Sequence, residues 1–109
     1  MPFIIKQGDL DEPLRATLQD NGVAVDLTGY DVWFLFSSDQ ATYIFRRVCV
    51  VESTTLGQVR YDWQAGDTDT AGRYSGAFEL VAQATGRKKT YPSEGFFDIQ
   101  ILADLVAAP

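Results

Sequence analysis

The chain has 109 residues, 46% hydrophobic and 22% charged, with a formal net charge of −6. That is the length of one domain with an ordinary globular balance, and its acidity argues against a phosphate backbone as partner. Histidine is absent and cysteine occurs once, which excludes histidine-based acid–base and metal chemistry, an intrachain disulfide and a cysteine zinc site.

The opening Met1-Pro2-Phe3-Ile4-Ile5-Lys6-Gln7 lacks the charged region and apolar run of a signal peptide. No apolar stretch reaches the ~20 residues of a membrane-spanning helix. The expectation is a soluble product made in a cytoplasm, where a lone thiol is stable. Aromatics make up 13% of the chain, and their Val, Ile and Thr neighbours favour strands.

In chain order, Phe3–Lys6 reads as a first strand. Leu14–Gln19 alternates, with Leu14, Ala16 and Leu18 facing inward. Asn21-Gly22 supplies a tight hairpin turn into Val23–Val25, and Asp26-Leu27-Thr28-Gly29 is a second turn. Tyr30–Ser37 is apolar on both faces, Val32, Phe34 and Phe36 on one and Trp33 and Leu35 on the other. Such a strand is either central and covered twice or presents an adhesive outer surface. Tyr43–Glu52 reads as one strand, bulged near Arg46-Arg47 where the alternation breaks.

Thr54–Gly57 turns the chain into Gln58–Trp63, with Val59, Tyr61 and Trp63 inward. After the polar loop Gln64–Gly72, strand Arg73–Ala82 turns Tyr74, Gly76, Phe78 and Leu80 inward. Arg87–Tyr91, polar and stopped by Pro92, belongs at a sheet edge. Gly95–Leu102 closes the domain with Phe97, Ile99 and Ile101 inward. The pattern predicts an all-β antiparallel sandwich of about eight short strands over residues 1–102. An apolar tail follows at 103–109, packed on its own domain or held by a neighbouring subunit.

The richest polar cluster is Gly66-Asp67-Thr68-Asp69-Thr70-Ala71-Gly72. Asp67 and Asp69 suit either a calcium site or turn capping. Too few acidic positions and no terminal Glu favour capping. Cys49, between Val48 and Val50, reads as a small buried hydrophobe. The runs Arg46-Arg47 and Arg87-Lys88-Lys89 read as solvated edges, and unpaired carboxylates give a hydrolase little support. No cofactor or metal is implied.

Asp69-Thr70-Ala71-Gly72-Arg73-Tyr74 resembles the corner entering strand F of immunoglobulin-like domains, with Tyr74 at the tyrosine position and Gly76 where an antibody domain has its second cysteine. A wider resemblance runs through four pieces in order. They are Phe3–Asp9 with Pro13-Leu14; Asn21-Gly22 through Gly29 and the aromatic strand after it; Gly57–Trp63 with Gly66-Asp67-Thr68 and Gly72-Arg73-Tyr74; and Tyr91-Pro92 with Gly95-Phe96-Phe97. Together they resemble the immunoglobulin-like N-terminal domain of tailed-phage baseplate upper proteins.

The resemblance implies an immunoglobulin-like sandwich in the virion tail, present in several copies and contacting other phage structural proteins, with no catalytic residues. Larger members continue into a helical linker and a receptor-binding region, whereas this sequence stops at Pro109, which favours an adaptor role. Structural-corner candidates are Asp67, Asp69, Gly72 and Tyr74; interface candidates are Tyr30, Trp33, Tyr43, Leu105 and Val106. The alternative is a carbohydrate- or receptor-binding module of the same particle, using Trp63 with Asp67 or Asp69.

Overall fold

A computed structural model describes residues 3–92 and 96–104. The strands are β1 (Phe3–Lys6), β2 (Leu14–Thr17), β3 (Gln19–Asp20), β4 (Val23–Ala24), β5 (Tyr30–Ser37), β6 (Phe45–Val48), β7 (Val50–Ser53), β8 (Gln58–Tyr61), β9 (Gly72–Ala82), β10 (Lys88–Tyr91) and β11 (Phe97–Leu102). A large sheet runs β1-β11-β9-β5-β6, with β10 also on β9, and a small sheet runs β2-β8-β7. All these pairs are antiparallel except β1 on β11. No helix occurs among the described residues.

The core lies between the sheets because alternate residues of each strand are apolar. Val32, Phe34 and Phe36 of β5 are 2% exposed or less. They meet Phe78 and Leu80 from β9, Ile99 and Ile101 from β11, and Val59 and Tyr61 from β8. Phe34 is the centre: its ring lies 4.8 Å from Tyr61, 5.6 Å from Phe78 and 5.9 Å from Trp63. Burying each such side chain contributes roughly 1.5–3 kcal/mol, with about 0.5–1.5 more for each well-placed ring pair.

Two glycines make this packing possible. Gly57 turns the β7–β8 hairpin at φ +66°, where a Cβ would stand 2.6 Å from the Leu18 carbonyl oxygen. At Gly76 a Cβ would overlap the Phe97 ring, which lies across from it on β11.

More strands are present than the eight expected, chiefly because Tyr43–Glu52 divides in two and the Asn21-Gly22 hairpin pairs two strands of its own. Asn21 and Gly22 take φ of 51° and 80°, the positive values a two-residue hairpin turn requires. The expected bulge near Arg46-Arg47 is not there. Phe45, Arg47, Cys49 and Val51 keep inward parity, and the chain passes at Cys49 from the large sheet to the small one. The ladder irregularity lies further on, between Val51 and Ser53. Arg47 disturbs the sequence pattern because a charge sits at an inward position.

That crossing closes one flank. Arg47 Nη1 donates to Asp67 Oδ1 at 2.5 Å and to Tyr61 Oη at 2.9 Å, and Tyr61 Oη donates to Asp67 Oδ2 at 2.7 Å. The Asp67 side chain is 3% exposed. Burial, then the neighbouring carboxylate, pushes the Tyr61 phenol well above its ordinary range. Cys49 is buried beside this crossing, and burial alone pushes its thiol up to about 12, which disfavours the reactive thiolate. On the other flank β2 and β10 stand apart across an open cleft.

Candidate functional site

The register of the large sheet sets out its outer face row by row. Val48 of β6, Trp33 of β5 and Glu79 of β9 form one row; Arg46, Leu35 and Ala77 form the next. Ser37, Ser75 and Asp98 of β11 form the third. Among the described residues no further sheet packs on this face.

The first two rows carry an internal charge lock. Arg46 donates from Nη2 to Glu79 Oε1 at 2.7 Å and from Nε at 3.1 Å, while its guanidinium lies 4.1 Å from the Trp33 ring centre. Glu79 is buried, with Lys88 Nζ 3.9 Å from its second oxygen. Trp33 is therefore half-covered by Arg46, and its ring is part of a polar-capped platform.

The third row is bordered by a loop. Ser37 Oγ donates to the Thr42 carbonyl at 2.7 Å and accepts from the amides of Asp39 and Gln40. Asp39 Oδ1 accepts from the amides of Ala41 and Thr42, each at 2.9 Å. Hydrogen bonds from the Thr42 amide, then that of Ala41, hold the Asp39 carboxyl at about 2. Gln40 Nε2 reaches over the sheet to Ser75 Oγ at 3.0 Å. The loop thus fixes Tyr43, 59% exposed, at the rim of a shallow apolar hollow of about 110 Å³ over Leu35, Ser75 and Ala77. Phe96, 44% exposed, forms the opposite rim.

The corner residues stand at one end of the sandwich. Tyr74 Oη donates to the Thr70 carbonyl at 2.7 Å, and its ring stacks on Phe36 at 4.6 Å. Gly72 begins β9 beside that ring. Asp67 caps the loop through the Gln64 amide at 2.8 Å while holding Arg47 and Tyr61. Asp69 differs from expectation. Its backbone carbonyl accepts from Gln7 Nε2, and among the described residues its carboxylate accepts no hydrogen bond. The reason is local: Gly66 carries a positive φ of 93°, and the tight turn closes on the first carboxylate, leaving Asp69 exposed. No cluster of three metal-ligating side chains forms among the described residues.

Trp63 also departs from the ligand-platform reading. It is 5% exposed, edge-on to Phe34, Phe36 and Tyr61 and stacked near Phe3. Its Nε1 is buried without a partner, so neither ring face nor N–H is offered to a sugar. Tyr30 shares the inward parity of Val32 and sits at the far end of β5, opposite Ala82, so it does not join Trp33 and Tyr43. Leu105, Val106 and most of the tail lie outside the described residues. Phe96 was missed by the sequence reading; two consecutive aromatics in one strand segment cannot both face inward, and Phe96-Phe97 carried that signal.

With this geometry in hand, the family described as the BppU N-terminal domain matches residues 3–107 of the chain. The solved N-terminal domain of phage TP901-1 ORF48 is similar in fold. Its TM-score is 0.73 at 16% sequence identity, with 94% of this chain and 85% of that chain covered. No curated protein sequence matches the chain significantly.

Proposed function

The chain belongs to the BppU N-terminal domain family, the N-terminal domains of phage baseplate upper proteins, and from that premise we propose that it is an adaptor whose working surface is the outer face of the large sheet. Membership carries the coarse role, a structural part of the phage virion tail associated with other tail or baseplate proteins. The observation that supports the finer reading is the exposure of Tyr43 and Phe96 around Leu35 and Ala77 on a sheet face on which no further sheet packs among the described residues. Interfaces are anchored by a few aromatic and arginine side chains around a desolvated centre. Here the Arg46–Glu79 pair is already satisfied within the chain, so covering it adds no unpaired charge.

The apolar rim supplies the contact and the charge lock keeps the platform flat and rigid. The role is structural rather than catalytic, and several copies of the chain serve in each particle. The test is incorporation: Tyr43→Ala combined with Phe96→Ala should leave thermal stability near the parent value and reduce incorporation into tail particles at least tenfold. Normal incorporation of that folded double variant would overturn the assignment of this face.

A further inference from the structure

We propose that the open flank takes up one extended segment of a neighbouring tail protein, which pairs with the free edge of β2 and seats apolar side chains in the cleft beside it. This inference rests on the tail-adaptor reading only for its partner, and it concerns a different surface.

The first observation is the pairing of β2. Its ladder to β8 joins Leu14 to Tyr61 and Ala16 to Val59, and the Leu18 amide donates to the Gly57 carbonyl at 2.8 Å. In an antiparallel ladder the groups that bond across alternate with groups that point away. Leu14, Ala16 and Leu18 therefore bond toward β8, and the amides and carbonyls of Arg15 and Thr17 face the free side. No partner for them exists among the described residues.

The second observation is what lies next to that edge. A cleft of about 490 Å³ opens there, floored by Leu14 and Ala16 from β2 with Leu18 just after it, and walled by Phe78, Tyr91 and Phe97 from the large sheet. Its size is that of a pocket for several apolar side chains. Across the mouth, Tyr91 Oη donates to Asp20 Oδ2 at 2.9 Å and Lys89 Nζ reaches the same oxygen at 3.1 Å. These bonds tie the β3–β4 hairpin to β10 at that end of the cleft.

The third observation is the missing protection. Exposed edges are commonly blunted by shortness, an outward or inward charge, a proline or a bulge. The edge strand β6 has an inward charge in Arg47, whereas β2, short and carrying the outward Arg15, has no inward charge, proline or bulge. An extended segment fits this arrangement better than a second folded copy. The available hydrogen-bonding groups form a strip two residues deep, and the inward side chains of another copy's β2 are committed to its own core. Strand addition supplies the backbone bonds, and alternate side chains enter the cleft. Arg15 is the one charged residue among the described lining residues, and its side chain is 60% exposed with a single 3.3 Å contact to Glu52. A segment with an acidic residue flanking its apolar anchors is the complement.

Amide hydrogen exchange on the free chain and on assembled tail particles tests the proposal. Arg15 and Thr17 amides should exchange rapidly in the free chain and slow at least a hundredfold on assembly, while Ala16 is slow in both. Thr17→Pro removes an outward N–H and leaves the β8 bonds intact. It should melt near the parent temperature and incorporate at least tenfold less. Rapid exchange of both amides in the particle overturns the proposal, as does normal incorporation of folded Thr17→Pro. A dimer of the free chain that protects the same amides would replace the proposed occupant by a second copy. If Thr17→Pro fails to fold, the exchange measurement decides alone. Loss of incorporation in the Tyr43/Phe96 variant with unprotected β2 amides would sink this inference and leave the outer-face reading standing; the reverse pattern would do the opposite.

Discussion

Where β6 runs into β7, an edge strand turns a charged side chain inward and the sandwich shuts around it; where β2 faces β10, the edge carries only apolar inward residues and the sandwich stays open. Both flanks face the same physical problem, unpaired backbone at the end of a sheet. On the closed side the chain crosses between sheets at Cys49, and Arg47, Tyr61 and Asp67 satisfy one another beneath the crossing. On the open side a cleft of about 490 Å³ is left. A flank that is sealed resists adventitious pairing, and a flank that is open invites a specific one.

The largest expected effect is on the closed flank. Arg47→Met leaves the Asp67 carboxylate, 3% exposed, without its cation. Removing one partner of a buried pair costs about 3–5 kcal/mol, and Arg47 is partly open to water, so a loss of about 3 kcal/mol in urea unfolding is expected. A loss below about 1 kcal/mol would mean that the crossing is held by packing alone.

A smaller loss is expected at the corner that carries Asp67. Tyr74→Phe removes the bond to the Thr70 carbonyl and should cost about 1 kcal/mol, read as a lower melting temperature. Unchanged stability would show that ring stacking on Phe36 suffices to hold the loop.

On the open flank the sign reverses. Ala16→Leu adds three carbons beside an existing cleft and should be neutral or stabilise by about 0.5–1 kcal/mol, as cavity-filling changes do. The same enlargement in a tightly packed region costs about 1–3 kcal/mol. A loss of that size at Ala16 would erase the contrast between the flanks.

The smallest effect concerns the loop beneath Tyr43, which neither flank controls. The folded Asp39 carboxyl titrates at about 2 against an ordinary 3.8. Its contribution to stability is therefore fully present above about pH 4 and fades as the pH falls toward 2. Asp39→Ala should lower stability slightly at neutral pH and flatten the acid limb across that window, so that variant and parent converge as the pH falls toward 2. An identical acid limb in the variant would show that the capping bonds contribute nothing.

Much of this architecture was legible in the sequence because it depends on short-range patterns. The spans Phe3–Lys6 and Tyr30–Ser37, the Asn21-Gly22 turn and the inward sets of β5, β8 and β9 follow from period-two alternation and positive-φ turn residues. Long-range pairings were not legible. Arg47 breaks the alternation unless Asp67, twenty positions away in the chain, is known to meet it. Asp67 and Asp69 look equivalent in sequence, and only the turn around Gly66 decides which carboxylate caps. Trp63 reads as inward from its alternation, but only Phe34, Phe36 and Tyr61 closing around it remove the ligand-platform alternative. The outer face was half-legible: Trp33, Leu35 and Tyr43 stood out as apolar surplus, but the cover of Arg46 over Trp33 and the place of Phe96 depend on register.

The measurement that bears most directly on the central claim is a side-chain-resolution structure of the assembled tail particle containing this chain. The account predicts that a neighbouring protein covers Leu35, Tyr43 and Phe96 on the outer face of the large sheet, with Arg46 still paired to Glu79 beneath it. That face standing in solvent, with the chain held by other surfaces, would contradict it.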